Sequence, residues 1–297
     1  MKRQLVRCTS KICFFVGIFL ISANTVGLLT SLRNDEIFLE KNVLFEQDIT
    51  LSAKQVYAAI NAPAADKKSY FNVLTHAINK GIAHYWLDEG IDKYNLRIPF
   101  SENYLLFITS FIIPQYYRKY ELRDYRLAIE RGVGLCSQHA IIVAEILKEK
   151  GIESGIMTLP DHVIAIARVD DGRNEWWVLD ADYGVVLPHG PEEIKKTPDI
   201  IAPYYRSRGY DERTIATLTS NYGKKGKVYL DGAKNYGSKI YWAEAATYIL
   251  VWIIPGLLMI PLIVAAGTRK KLRAGSGYFT GRRTASGAEC YGSSTPG

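Results

Sequence analysis

The chain has 297 residues, of which 48% are hydrophobic, enough for one domain of about 200 residues with a proper core plus appendages. Its net charge is +7, but residues 1–11 carry +4 (Lys2, Arg3, Arg7, Lys11) and residues 269–297 carry +5, which leaves −2 for residues 12–268. A nucleic-acid surface would concentrate basic charge on the folded part, so this distribution argues against nucleic acid as a partner.

After the basic segment 1–11, Ile12 to Leu32 holds no charged residue until Arg33. That length crosses a bilayer, which needs about 20 residues. A cleavable signal would be shorter and end at small residues, and Ser22, Ala23 and Asn24 make a poor cleavage site, so an uncleaved anchor is favoured. Thr50 or Ser52 can cap a helix running to about Ile60. Asp66 opens a longer one to about Asp88, with Tyr70, Val73, Leu74, Ala77, Ile78 and Ile82 at helical spacing and Gly90 ending it. Ser101 to Ile113 is strongly apolar, stops at Pro114 and is too short to span, so it reads as a core helix. Glu121 to Arg131 forms a further helix. After Gly132 and Gly134 another starts at Cys136 and runs to Lys150. Its buried face holds Ala140, Val143, Ala144 and Leu147, and Gly151 follows as the C-cap glycine.

The pattern then changes. Ser154–Leu159, His162–Val169 and Glu175–Leu179 are short and rich in Ile, Val and Trp, with Asp171-Gly172 as a hairpin turn between the last two. Helices followed by a small antiparallel sheet make the class α+β. Pro188 to Pro203 reads as irregular. Gly223–Lys227 and Asp231–Gly237 read as a solvated stalk next to a second uncharged run, Ala245 to Gly267. Membrane helices tolerate prolines such as Pro255 and Pro261, and Trp242, Tyr248 and Trp252 suit an interface. The tail 269–297 is basic and rich in Gly, Ser and Thr, which predicts disorder.

Basic residues flank the two runs on their outer ends, while the inner ends carry only Arg33, Lys41, Lys234 and Lys239. The positive-inside rule then puts both termini in the cytoplasm. The expected layout is a cytoplasmic N-terminus (1–11), a first span (12–32), an extracytoplasmic domain (33–243), a second span (244–268) and a cytoplasmic tail (269–297). The domain would be periplasmic in a bacterium.

Of four cysteines, Cys8, Cys13 and Cys290 lie in the flanks and Cys136 stands alone in the middle. A lone cysteine is often just a small buried hydrophobe. Here it sits at a helix start, where unpaired N–H groups and the helix dipole favour an anion, and the thiolate is the reactive form of the thiol. Such a nucleophile needs a base and a group that orients the base. His162 opens one strand and Asp180 closes the next, so a hairpin brings both to one end of the sheet. Cys136, His162 and Asp180 are therefore the candidate catalytic residues. Asp182 is the alternative to Asp180, which is preferred because it directly follows the apolar run.

Other residues read as less chemical. His139 is assigned to packing or to support of the site. His76 and His84, eight apart on one predicted helix, lack further ligands for a metal. Trp176 and Trp177 pack, although one can wall a cleft, and His189 is a loop residue. No cofactor and no metal is expected.

GVGLCSQHA, DHVIAIARV and EWWVLDADYG, in this order and spacing, resemble the transglutaminase-like superfamily over about residues 120–187. Ile164 stands where that family often has an aromatic residue, and Ala181 where it often has proline. The resemblance implies a papain-like fold and a cysteine peptidase-like hydrolase or acyltransferase. The reaction it implies is cleavage of a peptide, isopeptide or amide bond through a thioester on Cys136, with hydrolysis favoured over crosslinking. The Cys136 N–H and one side chain upstream (Gln115, Asn103 or Trp86) are the candidate oxyanion donors. Partners expected are a protein or peptide substrate and the lipid bilayer. The alternative is a non-catalytic, membrane-tethered binding or assembly module of an envelope or polysaccharide system that keeps the fold.

Overall fold

A computed structural model of the protein describes residues 2–39, 49–170 and 172–276. Asp171, Lys41, Cys290 and the tail beyond residue 276 lie outside the described residues. Two compact units make up the chain: residues 22–252, and the paired terminal segments 1–21 and 253–297.

The terminal unit consists of the outer parts of two long helices, α1 (Lys2–Leu29) and α11 (Ser238–Ser276). Both are long and apolar enough to cross a membrane, over Cys8–Leu29 and Ser238–Val264. Each is longer than the apolar run that predicts it. α1 begins ten residues before Ile12 and ends at Leu29, not Leu32. α11 begins at Ser238, and Pro255 and Pro261 lie inside it. Proline has no N–H, so Pro255 leaves the carbonyl of Val251, four residues back, without its helical donor. Asn24 of α1 fills the vacancy, its Nδ2 donating to Val251 O at 2.7 Å.

In the unit of residues 22–252, Ser52 caps α2 (Ala53–Asn61) in a reciprocal box with Gln55. Asp66 caps α3 (Lys67–Gly81). α3 ends seven residues earlier than its periodicity predicts. Beyond Gly81 the chain extends into β1 (Ala83–His84), which pairs with β2 (Val133–Gly134) in parallel. His76 and His84 are thus not on one helix. α4 (Phe100–Ile112) has a break at Asn103 and is followed by a single turn, α5 (Pro114–Tyr117). The expectation of a core helix fails for its second half, where Ile108, Phe111 and Ile112 are exposed. Glu121–Arg123 precedes α6 (Tyr125–Arg131), which Asp124 caps, so that helix starts four residues later than expected.

α7 (Cys136–Glu149) packs across a five-stranded antiparallel sheet of order β6-β5-β4-β3-β7. The strands are β3 (Ser154–Thr158), β4 (Val163–Asp170), β5 (Glu175–Asp180), β6 (Val185–Leu187) and β7 (Lys227–Leu230). Alternation along β4 assigns its two faces. Ala165 and Ala167 join Leu74, Ile78, Val143 and Leu147 of α3 and α7 in one core cluster. Ile164 and Ile166 join a second cluster with Ile194, Tyr205, Ile215 and Tyr222. The alanines on the α7 side let the helix approach the sheet closely. Asp170 Oδ1 accepts Gly172 N at 2.8 Å in the β4–β5 turn, and Asn174 takes its left-handed position (φ 52°).

Residues 188–222 cover the strand residues of the second cluster, and the expectation that 188–203 is irregular fails. This stretch holds α8 (Pro191–Lys196), a 3₁₀ turn (Pro198–Ile201), α9 (Ala202–Ser207) and α10 (Glu212–Tyr222). The expected stalk is also folded. β7 adds to the sheet beside β3, and Gly232 and Ala233 are buried in a 3₁₀ turn (Gly232–Lys234). Glu244 accepts from Tyr120 Oη at 2.8 Å and from the backbone N–H groups of Arg123 and Asp124 at 3.0 Å. The first turns of α11 are therefore riveted to the domain.

Candidate active site

Cys136 is the first residue of α7. Leu135, its N-cap, provides no side-chain cap, so the first-turn N–H groups point outward without helical partners. Side chains of the first turn tie the helix start to other segments instead. Gln138 donates to Leu122 O and accepts Leu122 N, both at 2.8 Å, and accepts Arg131 Nη2 at 2.9 Å. Arg131 is itself 1% exposed and also donates to Val133 O and Tyr120 O. Burial pulls its guanidinium down to about 10. Ser137 Oγ bonds Glu121 Oε1. Gly134 is required by the closeness of Gln138, because a Cβ would lie 2.4 Å from the Gln138 Cβ.

His162 immediately precedes β4, and Asp180 is the last residue of β5. The register pairs Ala165 with Leu179. Continued outward, it sets His162 opposite Asp182, so His162 and Asp180 share a face but are offset by two residues. The His162 ring spans that offset: Nε2 meets Asp180 Oδ2 at 2.8 Å, and a ring nitrogen lies within 4.8 Å of the Cys136 sulfur. Asp180 is 1% exposed. It also accepts the hydroxyl of Tyr205 at 2.6 Å and that of Tyr222 at 3.4 Å, while Tyr183 N donates to Oδ1 at 3.3 Å. Tyr183 packs edge-on against the His162 ring.

Burial by itself would strip the proton from His162. The charge and hydrogen bond of Asp180, together with Cys136, outweigh it and hold the imidazolium well above the usual histidine range. Burial and the same carboxylate push the phenols of Tyr205 and Tyr222 well above theirs. Both tyrosines therefore act as neutral donors to Asp180.

Asp182 belongs to a second network beside the first. Its Oδ1 meets His84 Nδ1 at 2.7 Å and His139 Nδ1 at 3.5 Å. Burial alone would raise this carboxyl, but His84, His139 and His162 hold it at about 2. His139 Nδ1 also faces Leu135 O at 2.8 Å and Nε2 faces Ile82 O at 3.1 Å. A neutral ring could donate to only one of those carbonyls at a time. The turn carrying Asp182 needs Gly184, whose φ is +68° and whose Cβ would strike Asn79. Asn79 Nδ2 in turn holds Asp182 O at 2.9 Å.

One ligand atom each of Cys136, His162 and Asp182 lies within 4.8 Å of the others. Thiolate, imidazole and carboxylate are the donor set that suits zinc. No other such group occurs among the described residues.

Asn103 donates to Thr247 Oγ1 at 3.0 Å, Gln115 is exposed on α5, and Trp86 packs on the cluster of Tyr85 and Tyr94. Trp177 stacks edge-on with Phe71, and Trp176 donates to Asn174, so neither reaches the sulfur network. His189 bonds Glu193 and Tyr204. Sequence reasoning weighed His84 only as a metal ligand and missed Tyr205 and Tyr222. The two tyrosines lie 25 and 42 residues from Asp180, on helices with no local motif to link them to it.

No known protein family, curated protein or solved structure matches the chain.

Proposed function

We propose that the chain is a membrane-anchored thiol enzyme of the transglutaminase-like, papain-related kind. In this reading the Cys136 thiolate attacks a peptide, isopeptide or amide carbonyl. The Cys136 N–H, free of any helical acceptor, stabilises the oxyanion. His162 gives its proton to the departing amine, and a thioester on Cys136 remains. Water then adds to the thioester, His162 takes a proton from that water, and the carboxylate leaves as the thiol is restored. Asp180 keeps the imidazole oriented throughout. In this reading both termini are cytoplasmic and the site lies outside, which the basic ends support.

One observation carries the reading. A thiol at the first position of a helix lies within 4.8 Å of an imidazole that meets a buried carboxylate at 2.8 Å. The test is site-resolved alkylation of the full-length protein with iodoacetamide near neutral pH. Fast labelling of Cys136 that is lost in His162→Ala supports the enzyme. Slow labelling that ignores His162 removes it and leaves a binding or assembly module. A Cys136→Ala variant used as a trap on envelope extracts would then identify the substrate.

A further inference from the structure

The segment Asn103–Tyr117 holds no charged residue. Its inner side is buried through Tyr104, Leu106 and Ser110. Its outer side leaves Ile112 71%, Phe111 59%, Tyr116 59% and Ile108 47% exposed. Single exposed hydrophobics are ordinary; a contiguous face of this kind marks a contact surface. α4 is about 20 Å long, too short to cross a bilayer. Its helical backbone is nonetheless satisfied internally, which lipid requires.

The start of α4 shows what covers this face. A Cβ on Gly27 would fall 2.1 Å from Ser101 O, so the end of α1 runs hard against the first turn of α4. Asn103 Nδ2 donates to Thr247 Oγ1 of α11 at 3.0 Å. Gly27 and Thr247 both lie inside the uncharged runs. Their neighbours Leu28, Leu29 and Ile249 are 74%, 83% and 61% exposed. The apolar face of α4 is therefore continuous with the apolar flanks of the two helices long enough to cross a membrane. Three cations border it, each beside an acid, with Arg97 Nε 3.5 Å from Asp92 Oδ1. Arg97 stacks on Phe111 at 4.3 Å, and Arg118 and Lys119 follow α5, both shared with Asp88. An apolar face with a basic rim is the pattern of a helix lying in the headgroup–acyl boundary.

We infer that α4 and α5 form an interfacial element that embeds Ile108, Phe111, Ile112 and Tyr116 in the outer boundary of the bilayer. This fixes the domain to the membrane surface at a third point, and it rests on the reading of α1 and α11 as spans. The element continues into Glu121 and Leu122, the residues that bond Ser137 and Gln138 in the first turn of α7. The lipid contact is thus joined by a short stretch of chain to the helix start that carries Cys136.

The test uses the full chain with its native cysteines replaced (Cys8, Cys13 and Cys290 by Ser, Cys136 by Ala). It carries one nitroxide, at Ile112→Cys, Ile249→Cys or Val228→Cys, in vesicles of phosphatidylcholine and phosphatidylglycerol. Power saturation compares collisions with oxygen, which partitions into lipid, and with a water-soluble nickel chelate. Labels at 112 and 249 should both favour oxygen several-fold over the label at 228, which lies on the exposed strand β7. If 249 favours oxygen while 112 behaves like 228, the interfacial element is wrong and the anchor stands. A label at 112 shielded from both agents would show a second copy or another protein on that face, and overturns the inference. A label at 249 without oxygen preference overturns the inference together with the membrane reading.

Discussion

Asp180→Asn keeps the size of the side chain and leaves an acceptor for Tyr205, Tyr222 and His162 Nε2, but removes the charge that opposes burial of the imidazolium. Two charges about 4 Å apart interact by about 4 kcal/mol at an effective dielectric of 20. Without that charge the imidazolium, which Asp180 holds well above the usual histidine range, gives up its proton to burial. Cys136 alkylation at pH 6.5 should then fall at least about 10-fold in Asp180→Asn, and the two proteins should converge near pH 9.5, where a thiol ionises without help. Iodoacetamide rates resolved by peptide mass spectrometry separate Cys136 from Cys8, Cys13 and Cys290. The convergence matters, because a change in access to the sulfur would depress the rate at every pH. A parallel loss across the range, or no loss at pH 6.5, refutes the reasoning.

Asp182 is held at about 2 against an ordinary 3.8. A lowered carboxyl gives stability above its unfolded value that disappears as pH falls through the folded one. The stability of the protein relative to Asp182→Asn should therefore drop by about 2 kcal/mol between pH 5 and pH 2, read from urea midpoints; a pH-independent difference contradicts the pairing with His84. Gln138→Ala strands Arg131 and both polar groups of Leu122 inside the core, and should cost about 3 kcal/mol in the same assay; a loss under 1 kcal/mol would show that the first turn of α7 holds without it. Zinc should protect Cys136 from alkylation and EDTA should restore it, whereas no protection at neutral pH would mean the three ligand atoms do not converge. Asn24→Leu should cost about 1–3 kcal/mol in detergent, because Val251 O loses its donor, and Pro255→Ala should recover part of that loss by supplying a helical N–H; equal cost in both backgrounds breaks the link between the proline and the amide.

What the sequence shows and what it hides divide along a physical line. Local signals are readable. Ser52 and Asp66 cap the helices they precede, the helix from Cys136 ends where Gly151 turns left-handed, and three strands appear within a residue or two of their alternating runs. Signals set by distant partners are not. β7 lies between the two Gly- and Lys-rich stretches that read as a stalk, and only its pairing with β3 makes Lys227–Leu230 a strand. α3 ends early because Ala83 finds Gly132 O, 49 residues away, and not because its own pattern stops.

The same division explains which parts of the site are legible. Cys136, His162 and Asp180 each sit at an element boundary, a helix start, a strand start and a strand end, and boundaries carry local punctuation. His84, Tyr205 and Tyr222 sit on a two-residue strand and on helices whose own periodicity explains them fully. Their contribution is to buried charge: the tyrosines donate to Asp180 and His84 balances Asp182. A buried carboxylate without such partners would take up a proton and cease to orient anything. Any chain that places Asp180 where it is must therefore bring donors from elsewhere. Here they come from residues 191–222, the very stretch whose first part reads as irregular. The practical rule is to ask of each candidate buried acid where its second and third donors come from, and to look for Tyr and His in the segments whose sequence carries no regular pattern.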